Sequence, residues 1–433
     1  MKNLFIILIL ACSSSVYSQV TWKTSENHVH QNGQPMGDSL NVLIASVSAN
    51  DVILFDVAGT YQIDRIINDT KTININAVPG VEINYTGPGH CFVVTGKGTT
   101  IKNIKIKSPT AIAAYAINVK SVGDNVFENI TTDKIGAIWF ESLATVNYNS
   151  KITNLISTGA ISNVITTQYV NFLSIFGGSI SGGADGIKFN KASSDVTVSG
   201  IEIKYCNDDL IDMFGGGRNV IVDKCKFEGG YVTYKNGSVT DFKTYINGFE
   251  VKNSTFKNAT IQTFGVYNLT QFSGLSNLNI HHNKFENSEQ PALVQNGSVN
   301  YKFTDNKVFL KGYQMALNLR PGLGESLIQN NLLYSDVTNL ITDESKGVYM
   351  VLTSTMSDGT FGIQDDQAKL ILRGNTVIGG RRSLGMDGVR NFEATDNTVM
   401  GAKDSPSYQM FKASESKYRP NGTYWHQDKN IVL

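Results

Sequence analysis

The stretches Ile280-His281-His282-Asn283-Lys284-Phe285, Phe303-Thr304-Asp305-Asn306-Lys307-Val308 and Ile328-Gln329-Asn330-Asn331-Leu332-Leu333 carry one pattern: apolar, two residues, Asn, one residue, apolar. With an apolar residue, Cys or Ser in the Asn place, the pattern runs upstream through Ile101/Ile104/Ile106, Phe127/Ile130, Ile152/Leu155, Leu173/Phe176, Val198/Ile201/Ile203, Val222/Cys225/Phe227 and Val251/Ser254/Phe256. Downstream it returns as Leu372/Asn375/Val377 and Ala394/Asn397/Val399. The central positions step by 26, 25, 21, 25, 24, 29, 29, 23, 25, 44 and 22 residues, the 44 reading as two coils with one hidden.

A repeat near 25 residues, made of short β-branched runs with no 3.6-residue period held over three turns, predicts an all-β right-handed parallel β-helix of about fourteen coils. Strands of successive coils pair in register, and inward apolar residues stack on like residues. Asn283, Asn306, Asn331, Asn375 and Asn397 are expected to form a ladder at an inward bend, each amide satisfying turn backbone and its Asn neighbours. At roughly 4.8 Å per coil the rod is about 65 Å long, and its flanking grooves suit a linear polymer.

Composition narrows the function. Among 433 residues, 37 Lys plus Arg balance 37 Asp plus Glu, only 17% are charged, and 40 Gly stand against 8 Pro. That excludes disordered, collagen-like and coiled-coil classes, and no basic excess exists to neutralise nucleic-acid phosphates. Residues 1–18 read as a secretory signal peptide: Lys2, the apolar run Leu4 to Ala11, then Val16-Tyr17-Ser18 before cleavage ahead of Gln19. Ile9-Leu10-Ala11-Cys12 offers a lipoprotein box as the alternative. The expected location is therefore secreted, cell-surface or periplasmic. No later run reaches the 18 apolar residues of a transmembrane helix. Cys91, Cys206 and Cys225 are expected as buried thiols rather than a disulfide scaffold. Residues 19–50 are expected to cap the amino-terminal end, 51–403 to form the β-helix and 404–433 an irregular carboxy-terminal cover, the whole a monomer.

Chemistry concentrates where Asp185-Gly-Ile-Lys188-Phe-Asn190 superposes on Asp209-Leu-Ile-Asp212-Met-Phe214 at a shift of 24 residues. Asp185 then lies near Asp209, and Lys188 near Asp212. With Asp208 beside them, mutual repulsion of the carboxylates calls for a cation, a proton or a lysine. Calcium on Asp185, Asp208, Asp209 and Asp212 answers that need; an outward Lys188–Asp212 ion pair with Asx turns at Asp185 and Asp209 answers it equally. Downstream come Arg218, Lys224, Lys226 and Lys235. Alternation places Glu202, Lys226, Thr255, Lys284 and Lys307 in one outward column, either a surface for an acidic polysaccharide or an ordinary solvated face. Lys188, Lys226 and Lys284 are the substrate-binding candidates. Of His281 and His282, one imidazole is expected to point outward and the other inward or toward the bend; His282 is an acid–base candidate, and the His spacing fits no zinc site. Phe140, Tyr231, Tyr234, Tyr267 and Tyr313 are candidate rings for sugar stacking, or strand filler.

On these residues the chain resembles the right-handed β-helix polysaccharide lyases. Asp185-Gly-Ile with Asp208-Asp-Leu-Ile-Asp212, a glycine turn and Asn219-Val-Ile-Val222 is similar to the pectate lyase arrangement, which implies calcium on Asp185, Asp208 and Asp212 and a basic role for Lys235. Ile280 to Phe285 resembles the strand before that family's catalytic arginine, where this chain instead reads Ser288-Glu-Gln-Pro-Ala292. Asp51-Val-Ile-Leu-Phe, Gly59-Thr-Tyr61 and the stretch Gly182 to Gly237 are similar to alginate and chondroitin/dermatan lyases, with Arg218 in the place of a catalytic Lys, Lys235 in that of an Arg, and Leu210-Ile-Asp212 in that of acid-x-acid. The fold-level resemblance spans residues 40–400, the motifs about 180–300. It implies β-elimination at a uronic acid, with calcium on the Asp cluster, Lys235 as base and Arg218 neutralising the substrate carboxylate. Two alternatives stand beside it. One is an inverting hydrolase resembling polygalacturonases, pairing Asp185 with Asp208 or Asp209 at roughly 6.5–9.5 Å; the other is a non-catalytic glycan-binding or adhesive rod.

Overall fold

The computed structural model describes residues 19–27, 29, 34–120, 123–141, 146–190, 193–214, 217–235, 246–264, 267–268, 271–272, 275–288, 290–296, 300–313, 315–320, 324–337, 349–354, 368–380, 382–387, 391–400, 411–413 and 424–432. The expected leader, 1–18, lies outside them. Short strands alternate buried and half-buried residues, as in Val52–Phe55 and Val81–Tyr85, because successive side chains of a strand point to opposite faces. Apart from the antiparallel pair Tyr267–Asn268 and Gln271–Phe272, the strands pair in parallel with their counterparts in neighbouring coils, and the chain winds as the expected right-handed parallel β-helix.

Three sheets run the length of the rod. The first begins at Thr21–Lys23 and ends at Tyr424–Asp428. The second begins at Gly59–Ile63 and ends at Ile431–Val432. The third runs from Ile67–Asp69 to Phe411–Ala413. The coil count differs slightly from the expected fourteen. Among the described residues the one helix is Gly37–Ser46, which buries Leu40, Leu43 and Ile44 against the first coils. No helix among them is long and apolar enough to cross a membrane.

The bend from first to second sheet is the most regular element. At Asn103, Asn129, Asn154, Gly177, Gly200, Lys224, Asn253, His282, Asp305, Asn330, Gly374, Asp396 and Lys429 the backbone φ lies between 51° and 67°. This left-handed conformation is open to Gly and tolerated best by Asn and Asp. The next residue points inward, and there the Asn ladder stands. The Asn306 N–H donates to Asn331 Oδ1 at 2.9 Å, and its Nδ2 donates to the Ile280 carbonyl at 2.9 Å and to Asn331 Oδ1 at 3.2 Å. The same set repeats at Asn283, Asn331, Asn375 and Asn397.

Three expectations are corrected. The 44-residue step is one long coil, since Ser326 to Gln329 pairs directly with Leu370 to Arg373 and the Asn331 N–H bonds Asn375 Oδ1 at 3.0 Å. The match at Leu173/Phe176 is out of register by two, because Leu155 pairs with Gly178 and Phe176 points outward. Gly178 escapes a pattern search for a physical reason: a Cβ there would stand 2.0 Å from the Leu155 carbonyl oxygen. The repeat also continues beyond residue 404, where Asn430 adds a further rung to the ladder.

Candidate functional site on the third sheet

Ile187–Phe189 lies beside Asp209–Met213 with Ile187 opposite Ile211, Lys188 opposite Asp212 and Phe189 opposite Met213. The flanking pairs are fully buried in the core, so Lys188 and Asp212 project together from the outer face. Gly186 lets the two coils close up, since a Cβ would meet the Leu210 carbonyl oxygen at 2.5 Å. Its N–H donates to the Asp209 carbonyl at 3.0 Å, and the Asp209 N–H donates to Asp185 Oδ1 at 3.1 Å. Thr233 Oγ1, from the next coil, donates to Asp209 Oδ1.

The expected ion pair is present, and it is doubled. Lys188 Nζ stands 2.9 Å from both Asp185 Oδ2 and Asp212 Oδ2. The two carboxylates are 2% and 1% exposed, the lysine 22%, with the Phe214 ring 5.6 Å from its ammonium. Burial pushes the Asp185 carboxyl up, with the ammonium pulling the other way. Burial disfavours the Lys188 ammonium, but hydrogen bonds and charge from Asp185 and Asp212 hold its pKa above the ordinary lysine value.

Asp208 departs from the expected four-carboxylate set. Its side chain is exposed, and its turn is mounted on the coil below, the Asn207 and Asp208 N–H groups donating to the Gly183 and Ala184 carbonyls at 2.8 Å each. Oxygens of Asp185, Asp209 and Asp212 lie within 4.8 Å of one another. That places Asp185 and Asp209 closer than the roughly 6.5–9.5 Å of an inverting pair. The three are oxygen donors of the type calcium takes, yet an ammonium already bridges two of them. The set therefore fits the metal poorly while Lys188 holds that place.

Upstream on the same face lie residues the sequence reading missed. Trp139 and Thr166 precede Lys188 in register, and Asn118 precedes Trp139. The Tyr115 hydroxyl lies 2.7 Å from Thr166 Oγ1, and the Tyr115 N–H donates to His90 Nδ1 at 3.1 Å. Ring centroids of His90 and Tyr115 stand 5.2 and 5.6 Å from Trp139. Burial lowers the His90 pKa and keeps the ring neutral.

The other candidates lie elsewhere. Arg218 is exposed on the first sheet, around the corner from Asp212. Lys235 ends a strand of the third sheet, and its side chain lies outside the described residues. Glu202, Lys226, Thr255, Lys284 and Lys307 do form one column, on the second sheet. Lys226 is exposed there, whereas Lys284 pairs with Glu286. Both His281 and His282 point outward, because Asn283 takes the inward place; His281 Nε2 meets Glu250 Oε1 at 2.9 Å and its Nδ1 meets His282 Nδ1 at 2.8 Å. They sit at the edge of the first sheet, whose outer face also carries a groove of about 450 Å³ lined by Asn277, Asn279, Asn300, Lys302, Glu325 and Leu327. This groove and the acidic cluster thus lie on different sheets. Phe140, Tyr234 and Tyr313 are buried, so they fill the core rather than offer stacking faces; Tyr231 is exposed, and the Tyr267 side chain lies outside the described residues. Tyr205 and Phe214 are the exposed rings nearest in sequence to the cluster.

The sequence matches no known family model and no curated protein. Among solved structures, the chain is similar to the Agl-KA catalytic domain, with TM-score 0.50 and 14% identity over 96% of this chain and 69% of that one. It is also similar to the pre-mature gene product 12 of bacteriophage phi29, with TM-score 0.53 and 11% identity over 95% of this chain and 56% of that one. At these identities the likeness is one of fold.

Proposed function

We propose that the protein engages a glycan of low charge across the outer face of the third sheet and hydrolyses it by acid–base chemistry of Asp208 and Asp185. One observation carries this reading: adjacent coils set two carboxyl groups at one edge of the sheet in opposed environments, Asp208 exposed and Asp185 buried with its pKa raised. Such a contrast between neighbouring carboxyls separates the proton donor from its partner. Lys188 supplies a fixed positive charge. Tyr205, Phe214 and Tyr231 supply exposed rings of the kind sugars stack on.

β-Elimination fits the described groups less well. It needs a base, and Lys188 is held protonated between two carboxylates. Four carboxylates against one ammonium also repel a uronate polymer. The near-complete burial of Asp185 and Asp212 favours a second reading, a glycan-binding rod without turnover.

The test is a panel of neutral and uronic polysaccharides assayed for new reducing ends and for absorbance near 235 nm, the mark of an unsaturated sugar. Reducing ends without absorbance, lost in Asp208→Asn, support hydrolysis. Absorbance on a uronate polymer restores the lyase reading. Retention on a glycan column with neither signal leaves the binder.

A further inference from the structure

Two residues adjacent in register on the third sheet each carry a buried polar atom without a hydrogen-bond partner among the described residues. Asn118 is 1% exposed, and its Oδ1 has no hydrogen-bond partner among the described residues; the Trp139 Nε1–H is likewise buried and unpartnered. The two residues are direct neighbours in the outward column. One is an acceptor and the other a donor. The amide orientation of Asn118 is fixed, because its Nδ2 donates to Glu141 Oε2 at 2.9 Å and Glu141 is held by Lys120 at 3.3 Å. Trp139 is backed by His90 and Tyr115.

A buried orphan donor or acceptor costs about 1–3 kcal/mol, so two of them on residues adjacent in register mark a place where a ligand group belongs. A hydroxyl is the group that accepts from one and donates to the other. An indole beside it offers the ring face on which a pyranose stacks.

We propose that Asn118 and Trp139, supported by His90, Tyr115 and Glu141, form a subsite for a neutral sugar unit, one hydroxyl of which bridges Trp139 Nε1 and Asn118 Oδ1. The proposal rests on the reading of this sheet as a glycan face and adds a direction to it. Trp139 precedes Lys188 by two coils in register, about 10 Å at the spacing of paired strands. The glycan therefore runs along the rod axis, with one unit anchored at Trp139 while another meets Asp208 and Lys188.

The experiment is a tryptophan fluorescence titration of the full chain with gluco-, manno- and xylo-oligosaccharides from disaccharide to hexasaccharide. It is run on the natural protein, Trp139→Phe and Asn118→Ala, each checked for an unchanged melting temperature. Trp139 is one of three tryptophans, so its contribution is separable. Saturable quenching that disappears in Trp139→Phe and weakens roughly tenfold in Asn118→Ala, as expected for one lost hydrogen bond in a closed site, supports the subsite. Quenching unchanged in Trp139→Phe and Asn118→Ala overturns it while leaving the glycan face standing. Absence of quenching by every oligosaccharide overturns it together with that reading. Should a variant melt early, the dissociation constants for long against short oligosaccharides in the remaining variant decide, since loss of the subsite removes the advantage of length.

Discussion

Replacing Lys188 by Met removes the one cation that stands 2.9 Å from both Asp185 and Asp212. Methionine keeps the length and apolar stem, so packing against Phe214 changes little. The carboxylates, 2% and 1% exposed, lose the ammonium that they share. Breaking a buried pair in this way costs about 3–5 kcal/mol. For 433 residues the unfolding entropy is about 0.9 kcal/mol/K, so the melting temperature should fall by about 3–6 °C at pH 7. The loss should depend on pH with a definite sign. In the variant, burial without the ammonium leaves the folded-state pKa of Asp185 above the unfolded value near 3.9. Its penalty is therefore full above the folded value and fades as pH falls toward the unfolded one. In the natural protein the raised Lys188 pKa makes its contribution present below about 10.4 and lost as pH rises through the folded value. Melting curves of both proteins from pH 4 to pH 8 read the difference directly. The triple variant Asp185→Asn, Lys188→Met, Asp212→Asn should return close to the natural melting temperature at pH 7, since it removes the three charges of the triad together. A Lys188→Met protein as stable as the natural one across that range would refute the ion triad as the organiser of the site.

Asn331→Ala leaves the Asn306 N–H and the Phe303 carbonyl without their partners, and should cost about 2–6 kcal/mol in chemical denaturation. Asn331→Ser should cost less, because Ser254 already accepts from the Cys225 N–H and donates to the Lys252 carbonyl at the same place in the ladder. Burial raises the Asp69 pKa to about 6; its contribution to stability is full below the unfolded value near 3.9 and lost as pH rises through 6, so Asp69→Asn should be more stable at pH 8 by up to about 3 kcal/mol and flatten the stability profile between pH 4 and 7. If Lys188 takes the place of a metal, calcium or chelator should leave the melting temperature unchanged, and a rise of several degrees with calcium would place the ion on the Asp cluster instead.

The repeat was legible because two constraints recur in every coil: an inward residue and, before it, a residue that accepts a left-handed backbone. The Asn residues mark the first constraint, and Asn, Gly and Asp mostly mark the second. His282, Lys224 and Lys429 break that second alphabet while keeping the conformation, which is why His282 looked like a chemical group set on a strand. The pairing of Lys188 with Asp212 could be read because their coils differ by a constant 24 residues. The exposure of Asp208 could not, since a turn of consecutive Asn-Asp-Asp does not show which carboxyl the next strand takes inward. Tyr115, Asn118 and Trp139 were missed for another reason. Tyr115-Ala-Ile-Asn-Val119 and Gly136-Ala-Ile-Trp-Phe140 are apolar enough to pass for core strands, and neither carries a charge to betray its outer face. Lys235 remains an expectation from sequence.

The long coil between Asn331 and Asn375 shows how loosely this architecture is coupled to chain length. Forty-four residues separate the two rungs, yet their bonds, 3.0 and 2.9 Å, match those of rungs 22 residues apart. Doubling a loop costs only about 0.6 kcal/mol in closure entropy, far less than one broken rung. The ladder thus works as a set of anchorages between which foreign sequence can be spliced. Grafting a recognition loop into residues 355–367, between the paired strands Tyr349–Ser354 and Ala368–Arg373, should leave the neighbouring coils undisturbed, making this stretch the natural place to retarget the rod by engineering and the expected place for relatives to diverge in length.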